Sequence, residues 1–251
     1  MECVAVTTLM AGSKKVIMFF YDVISPYSWL AFEVLCRYRN IWNIDLRLRP
    51  GFLTGLMKET GNNHPGILPN KYAYTVKDLT RQFQYFGVRL CPPKDPFEVM
   101  YEKGTLPAMR LITAVSELQP SAVEPLSREL WTRIWGLDLD ITERQSLTEA
   151  ALKAGLSASQ VEELFRLVGT KEVKDKLKST TQEAIDYGAF GFPLSVCSVK
   201  GSPEVFFGSD RFELMAHCLG EKWVGPRPDT PTMKMRERER DGECVNKASL
   251  G

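Results

Sequence analysis

The sequence has almost no charge of either sign to spare. Its 32 lysines and arginines stand against 31 aspartates and glutamates, a formal net charge of +1 over 251 residues. That balance argues against a dedicated nucleic-acid binder, which carries a basic excess. No run of about 18 apolar residues occurs, so no segment reads as a membrane-spanning helix. Histidine is scarce, with only His64 and His217, which argues against a histidine-built metal centre. The six cysteines, Cys3, Cys36, Cys91, Cys197, Cys218 and Cys244, include no C-x-x-C pair, so no paired-cysteine zinc site is indicated. Six scattered cysteines in a chain of this length do not read as a disulfide scaffold, and a reducing compartment is the simpler inference. The opening MECVAVTTLMAGSKK has no basic region ahead of an apolar core, no arginine and an early Glu2. It reads neither as a secretory signal nor as a good mitochondrial transit peptide. The chain ends Ala-Ser-Leu-Gly, not the peroxisomal Ser-Lys-Leu type.

What is present is ordinary core-forming material. Hydrophobic residues make up 44% and charged residues 25%, enough for one large domain or two small ones. Val16–Tyr21, VIMFFY, is a short apolar run rich in β-branched and aromatic residues, a buried strand. It stops at Asp22. Ser25-Pro26 places an N-cap directly before a proline at the first helical position. Tyr27–Arg39 then carries a helical stripe of Trp29, Leu30, Phe32, Leu35 and Cys36. Ile44–Arg49, IDLRLR, alternates as a strand does, and the three elements make a βαβ unit.

Between Phe52 and Pro93 the pattern is weak, with turn chemistry at Gly61-Asn62-Asn63 and Pro65-Gly66 and helix over Lys77–Phe86. Leu106 to Gly188 reads as helices, with capping-box spacing at Thr142/Gln145 and Ser157/Gln160. Lys171–Phe190 is a further amphipathic helix. Leu194–Val199 and Glu204–Phe207 flank Lys200-Gly201-Ser202-Pro203, a hairpin. Ser209-Asp210 opens a last helix whose apolar face is Phe212, Met215, Leu219 and Trp223. Beyond it, the charged run Lys234–Asp241 reads as a solvated or disordered tail. This order is that of an α/β thioredoxin fold with a mixed four-stranded sheet and an inserted all-helical domain. Residues 15–60 form the first half of the thioredoxin-like domain, 61–180 the insert, 181–226 the second half and 227–251 the tail.

The sharpest feature is Ser25-Pro26-Tyr27-Ser28. It stands where a thioredoxin-type protein places C-x-x-C, after the first strand and at the start of the first helix. Serine there cannot exchange disulfides. Its hydroxyl can hydrogen-bond to the sulfur of another molecule, beside free helix N–H groups and the positive end of the helix dipole. For an isolated Ser-Pro, an N-cap alone would suffice. Gly191-Phe192-Pro193 adds weight, because it lies where thioredoxin folds carry a cis-proline beside the active site. Roughly 5–6% of X–Pro bonds are cis, so the position, not the dipeptide, carries that expectation for Pro193.

The segments FFYDVISPYSWLAFEVLCRY, YGAFGFPLSV and FGSDRFELMAHCLGEKW closely resemble a kappa-class glutathione transferase. The resemblance runs from about Lys15 to Pro226 and includes GTLPAMRLITAV and SRELWTRIWGLDLDITE within the helical insert. Related bacterial enzymes on this fold are glutathione-dependent 2-hydroxychromene-2-carboxylate isomerases. The DsbA oxidoreductases share the fold but need cysteines that are missing here.

The resemblance implies a set of roles. Ser25 is the catalytic residue, donating a hydrogen bond to the glutathione sulfur and holding it as thiolate. Pro26 and Tyr27 line that site. Asn62 matches a glutathione-contacting asparagine, and Lys71 resembles a lysine that meets a glutathione carboxylate. Phe192 offers its backbone N–H and C=O to the cysteinyl unit; it replaces the expected leucine, which should alter packing more than binding. Ser209 and Asp210 hold the γ-glutamyl end. No metal and no tightly bound cofactor are implied, and glutathione enters as co-substrate with a small electrophile. A homodimer is implied too, and a mitochondrial matrix location ahead of peroxisome or cytosol.

The magnitudes suffice. Lowering a thiol from about 8.5 by roughly two units requires about 2.7 kcal/mol. A hydrogen bond to a charged group supplies about 1.5–3 kcal/mol, and a helix terminus about 0.3–1 kcal/mol. Two other readings stand beside the transferase. A glutathione-dependent isomerase would use the same sulfur site and return glutathione unchanged. A chaperone or assembly factor would use the insert as a binding surface. Other residues have plain readings: His64 solvated in a polar loop, His217 packed or surface-facing, Cys36 and Cys197 core thiols, Trp131 and Trp135 core aromatics.

Overall fold

A strand covered on both faces shows an unbroken apolar run, whereas an edge strand alternates. The first two strands follow that rule. In the computed structural model, which describes residues 14–199 and 201–228, Lys15–Tyr21 forms β1, with Ile17, Phe19, Phe20 and Tyr21 wholly buried. The alternating segment forms β2 (Ile44–Pro50), half-buried at the sheet edge and parallel to β1. On its other side β1 pairs antiparallel with β3 (Leu194–Val199), which pairs antiparallel with β4 (Ser202–Phe207). The order β2-β1-β3-β4, with one parallel and two antiparallel pairs, is that of a thioredoxin fold. Its central register sets Phe19 opposite both Leu48 and Ser195.

Between the two strand pairs lie the helices. α1 (Pro26–Tyr38) connects β1 to β2 and begins as its sequence demands, with Ser25 as N-cap and Pro26 in the first turn. Then follow α2 (Leu53–Glu59), α3 (Pro69–Phe86), α4 (Leu106–Leu118), α5 (Val123–Leu137), α6 (Arg144–Lys153), α7 (Ala158–Leu167), α8 (Lys171–Asp186) and, after β4, α9 (Phe212–Leu219). An aromatic stack joins sheet, α1 and α5: Trp131 lies 5.2 Å from Tyr21 and 4.8 Å from Phe32 between ring centroids. Trp131 and Trp135 are therefore core residues, as read. A second cluster of Tyr38, Trp42, Phe212 and Trp223 straps the segment after α9 onto α1, and the Tyr38 hydroxyl donates to Gly225 O at 2.7 Å.

Several sequence expectations need correction. The helix expected over Lys77–Phe86 begins earlier, at Pro69, because proline suits a first turn. α2 was not foreseen, nor was the π-type turn at Glu98–Lys103. Ser157 and Gln160 do form a capping box, but Thr142 does not cap α6. The Asp140 carboxylate accepts from the N–H groups of Thr142 and Glu143 instead, each at 2.7 Å. α8 stops at Asp186 rather than Phe190, where Gly188 takes φ 86°. α9 ends at Leu219 at a left-handed Gly220, so Trp223 packs from outside the helix. Of the tail expected over 227–251, residues 229–251 with the charged run lie outside the described residues, as do Cys3 and Cys244. Among the described residues no helix is long and apolar enough to cross a membrane.

Candidate functional site

Ser25 is held from several sides. Its N–H donates to Asp22 O at 3.1 Å, and its carbonyl accepts from Trp29 N and from the Trp131 indole, each at 3.2 Å. Its side chain accepts the Ser28 N–H at 3.1 Å, the N-cap bond of α1. The one proton it can give goes to Phe192 O across 3.4 Å, close to the limit of a useful bond. Pro26 has no N–H and the Ser28 N–H is taken, which leaves the Tyr27 N–H as the first-turn donor without an intrahelical partner. Ser28 is buried, and its hydroxyl has no partner.

Phe192-Pro193 is a cis peptide, as its position foretold, and the Ser25–Phe192 contact sets it against the start of α1. Asn62 reaches the same loop: its Nδ2 donates to Phe190 O at 2.5 Å. Ser209 is brought there too, since Gly208 N donates to Pro193 O at 3.1 Å. Four expected site elements, 25–27, 62, 192–193 and 209, thus converge. Asp210 is exposed beside Ser209 and paired with Arg211 at 2.7 Å. These two do not open α9 as read; Arg211 stands at its N-cap position and they lie in the preceding turn. Lys71 is exposed in the first turn of α3, and among the described residues it makes no ion pair. It stands two turns before Asp78, about 10 Å along the axis on the same face.

That face of α3 carries residues the sequence reading passed over. The Tyr27 hydroxyl donates to Asp78 Oδ2 at 3.0 Å, and Gln82 Nε2 donates to the same oxygen at 2.6 Å. Ser209 Oγ donates to Gln82 Oε1 at 3.1 Å. This polar chain joins α1, α3 and the β4–α9 turn. Burial, then the Asp78 carboxylate, raises the Tyr27 phenol, so it stays protonated as a donor. The spacing of Asp78 and Gln82 at i, i+4 was the available signal.

The remaining candidates settle as follows. His64 is not solvated as expected. It is partly buried against Tyr101, its Nδ1 accepts from Gly66 N at 3.0 Å, and burial lowers its pKa. His217 is surface-exposed on α9. Burial pushes the Cys36 and Cys197 thiols up to about 12, which makes both inert at neutral pH. Among the described residues no group of three or more His, Cys, Asp or Glu is placed to hold a metal.

Phe192 is accommodated by Gly51. A Cβ on Gly51 would lie 2.7 Å from Phe192 Cζ and 3.0 Å from Cε2, and Phe192 is only 6% exposed. Gly51→Ala should cost about 1–3 kcal/mol by overpacking. Phe192→Leu in the same chain should recover part of it, a coupling of about 0.5–3 kcal/mol in urea denaturation. Strict additivity of the two changes would refute this fit.

A model of the DSBA-like thioredoxin domain matches residues 16–220. The chain is 52% identical over 219 residues to glutathione S-transferase kappa 1 of Homo sapiens, a match covering 87% of this chain and 97% of that protein. It is 50% identical over 227 residues to glutathione S-transferase kappa 1 of Rattus norvegicus, covering 90% and 100%. Among solved structures it resembles a 2-hydroxychromene-2-carboxylate isomerase with a TM-score of 0.64 and 22% identity, over 82% of this chain and 94% of that one. At that identity the likeness concerns the fold.

Proposed function

Because the chain belongs to the kappa class of glutathione S-transferases, within the DsbA-like thioredoxin-domain family, we propose that Ser25 holds the sulfur of reduced glutathione as thiolate for attack on small electrophiles. The carrying observation is the Ser25 hydroxyl. Its oxygen is committed to the Ser28 N–H, while its proton rests on a long bond to Phe192 O. A cysteinyl N–H arriving at Phe192 O takes over that acceptor and releases the Ser25 proton toward the sulfur. The Tyr27 N–H and the start of α1 add to the field that favours the thiolate. The polar turn at Ser209 and Asp210 takes the γ-glutamyl end, the carboxylate drawing the Ser209 hydroxyl proton from Gln82 Oε1 and the ammonium facing the Asp210 carboxylate. Asn62 and Lys71 serve the other end of the tripeptide.

The reaction then needs no protein nucleophile. The thiolate displaces a leaving group such as halide, a C–S bond forms as the carbon–halogen bond breaks, and the thiol proton passes to solvent. Incubation with glutathione and an activated aryl halide should yield a product whose mass is that of the conjugate. An isomerised 2-hydroxychromene-2-carboxylate with glutathione returned unchanged, and no conjugate, would replace this reading with the isomerase.

Dimerisation belongs to the same proposal. Tyr72, Tyr74 and Val76 on α3 and Phe97 beyond it are exposed, apolar side chains that a second copy would cover. Sedimentation should give twice the chain mass. The mitochondrial matrix is proposed on the resemblance alone, and cell fractionation distinguishes it from peroxisome and cytosol.

A further inference from the structure

Asp22 is a wholly buried carboxylate three residues ahead of Ser25 that the chemistry above does not use. Its Oδ1 accepts from Ile24 N at 3.0 Å, and its Oδ2 accepts from Leu53 N at 2.9 Å and from Thr105 Oγ1 at 3.1 Å. Glu129, a second buried carboxylate, is paired with Arg133 and Lys153. Asp22 has only neutral donors among its contacts. Each comes from a different stretch of chain: the turn that leads into α1, the first residue of α2, and the residue before α4. Thr105 stands at the N-cap position of α4, yet its side chain does not cap that helix. Its hydroxyl is turned to Asp22. The Asp22 backbone carbonyl also accepts the Ser25 N–H, so one residue holds the entry to α1 by main chain and side chain together.

We infer that Asp22 is a positioning residue for thiol activation, a clamp that fixes the Ile24–Ser25 turn against α2 and α4 so that the Ser25 hydroxyl faces the glutathione sulfur. The inference rests on the glutathione reading above. A burial this costly, without a cation, suits a residue kept for placement rather than for stability.

Asp22→Asn keeps the size but loses an acceptor oxygen, so it must face one of the three donors with an N–H of its own. Thr105→Val keeps the shape and the charge and removes a single leg. The ultraviolet thiolate absorbance of bound glutathione is followed across pH in wild type and both variants, with kcat and the KM for glutathione. Asp22→Asn should raise the bound-thiol pKa by about one unit and lower kcat about tenfold, with Thr105→Val moving both in the same direction. KM for glutathione should stay within about twofold. A merely structural role would lower the melting temperature and leave the bound-thiol pKa at its wild-type value, and that result overturns the inference. If Asp22→Asn does not fold, Thr105→Val decides alone by the same criterion. A wild-type protein that binds glutathione without shifting its thiol would fail the glutathione reading itself, and the inference with it.

Discussion

Ser25→Ala should move the thiol of bound glutathione back toward about 8.5, the value of a free thiol, short of it only by what the Tyr27 N–H and the start of α1 supply. It should lower kcat/KM roughly 10- to 150-fold, the equivalent of one hydrogen bond to a charged group. Glutathione affinity should change far less, because the backbone of Phe192 and the turn at Ser209 are untouched. The same substitution removes the N-cap bond to Ser28 N, which costs about 1 kcal/mol of stability. Ser25→Gly separates the two effects, since glycine at an N-cap costs only a few tenths. Both variants should lose the side-chain bond and thiol activation alike, while only the alanine variant should lose about 1 kcal/mol of stability. A thiolate titration of Ser25→Ala that overlays wild type would remove Ser25 from the mechanism.

Asp22→Asn should also abolish a pH dependence of stability. Burial raises the Asp22 carboxyl from an ordinary 3.8 to about 6, against the opposing pull of its three hydrogen bonds. The folded protein therefore holds this proton more tightly than the unfolded chain does. The stabilising contribution is complete below the unfolded value and is lost as pH rises through about 6. Across the whole window the loss is roughly 3 kcal/mol, about half of it between pH 5 and pH 8. The difference in unfolding free energy, wild type minus Asp22→Asn, should fall by that amount as pH rises. Urea denaturation at several pH values measures it, and two curves that run parallel from pH 5 to pH 8 would refute the burial cost assigned to Asp22. At neutral pH the ionised Asp22 thus works against stability, which agrees with a role in placing Ser25.

The elements that carry the site were legible from local chemistry. VIMFFY read as a buried strand, because a short unbroken apolar run rich in β-branched and aromatic residues suits a strand covered on both faces. Ser25-Pro26 announced both the start of α1 and its cap, because a side-chain oxygen ahead of a proline satisfies first-turn donors without wasting an N–H. Gly191-Phe192-Pro193 was found by its place between helices and hairpin. Where the reading failed, a competing partner intervened. Thr142 carried the capping spacing, but its hydroxyl donates to the Asp140 carboxylate, and the helix starts one residue later with Glu143 at the N-cap position. Ser209-Asp210 looked like a helix start, yet Ser209 is engaged by Gln82 from α3. His64 lay in polar sequence, yet it packs on Tyr101, far along the chain.

By itself the sequence determined the order of the four strands and of the helices that flank them, the absence of disulfide chemistry at the first helix, and the hydroxyl that stands in its place. These depend on neighbours within a few residues, through side-chain period, capping and proline geometry. Only the tertiary structure decided the rest. It brought Asp78 and Gln82 onto Tyr27 and Ser209, set Gly51 beneath the ring of Phe192, and gathered Ile24, Leu53 and Thr105 around Asp22. Apart from that of Ile24, two residues from Asp22, these contacts join residues far apart in the chain. A carboxylate at the end of an apolar run is ordinary until the fold excludes water from it and leaves three donors as its entire solvation.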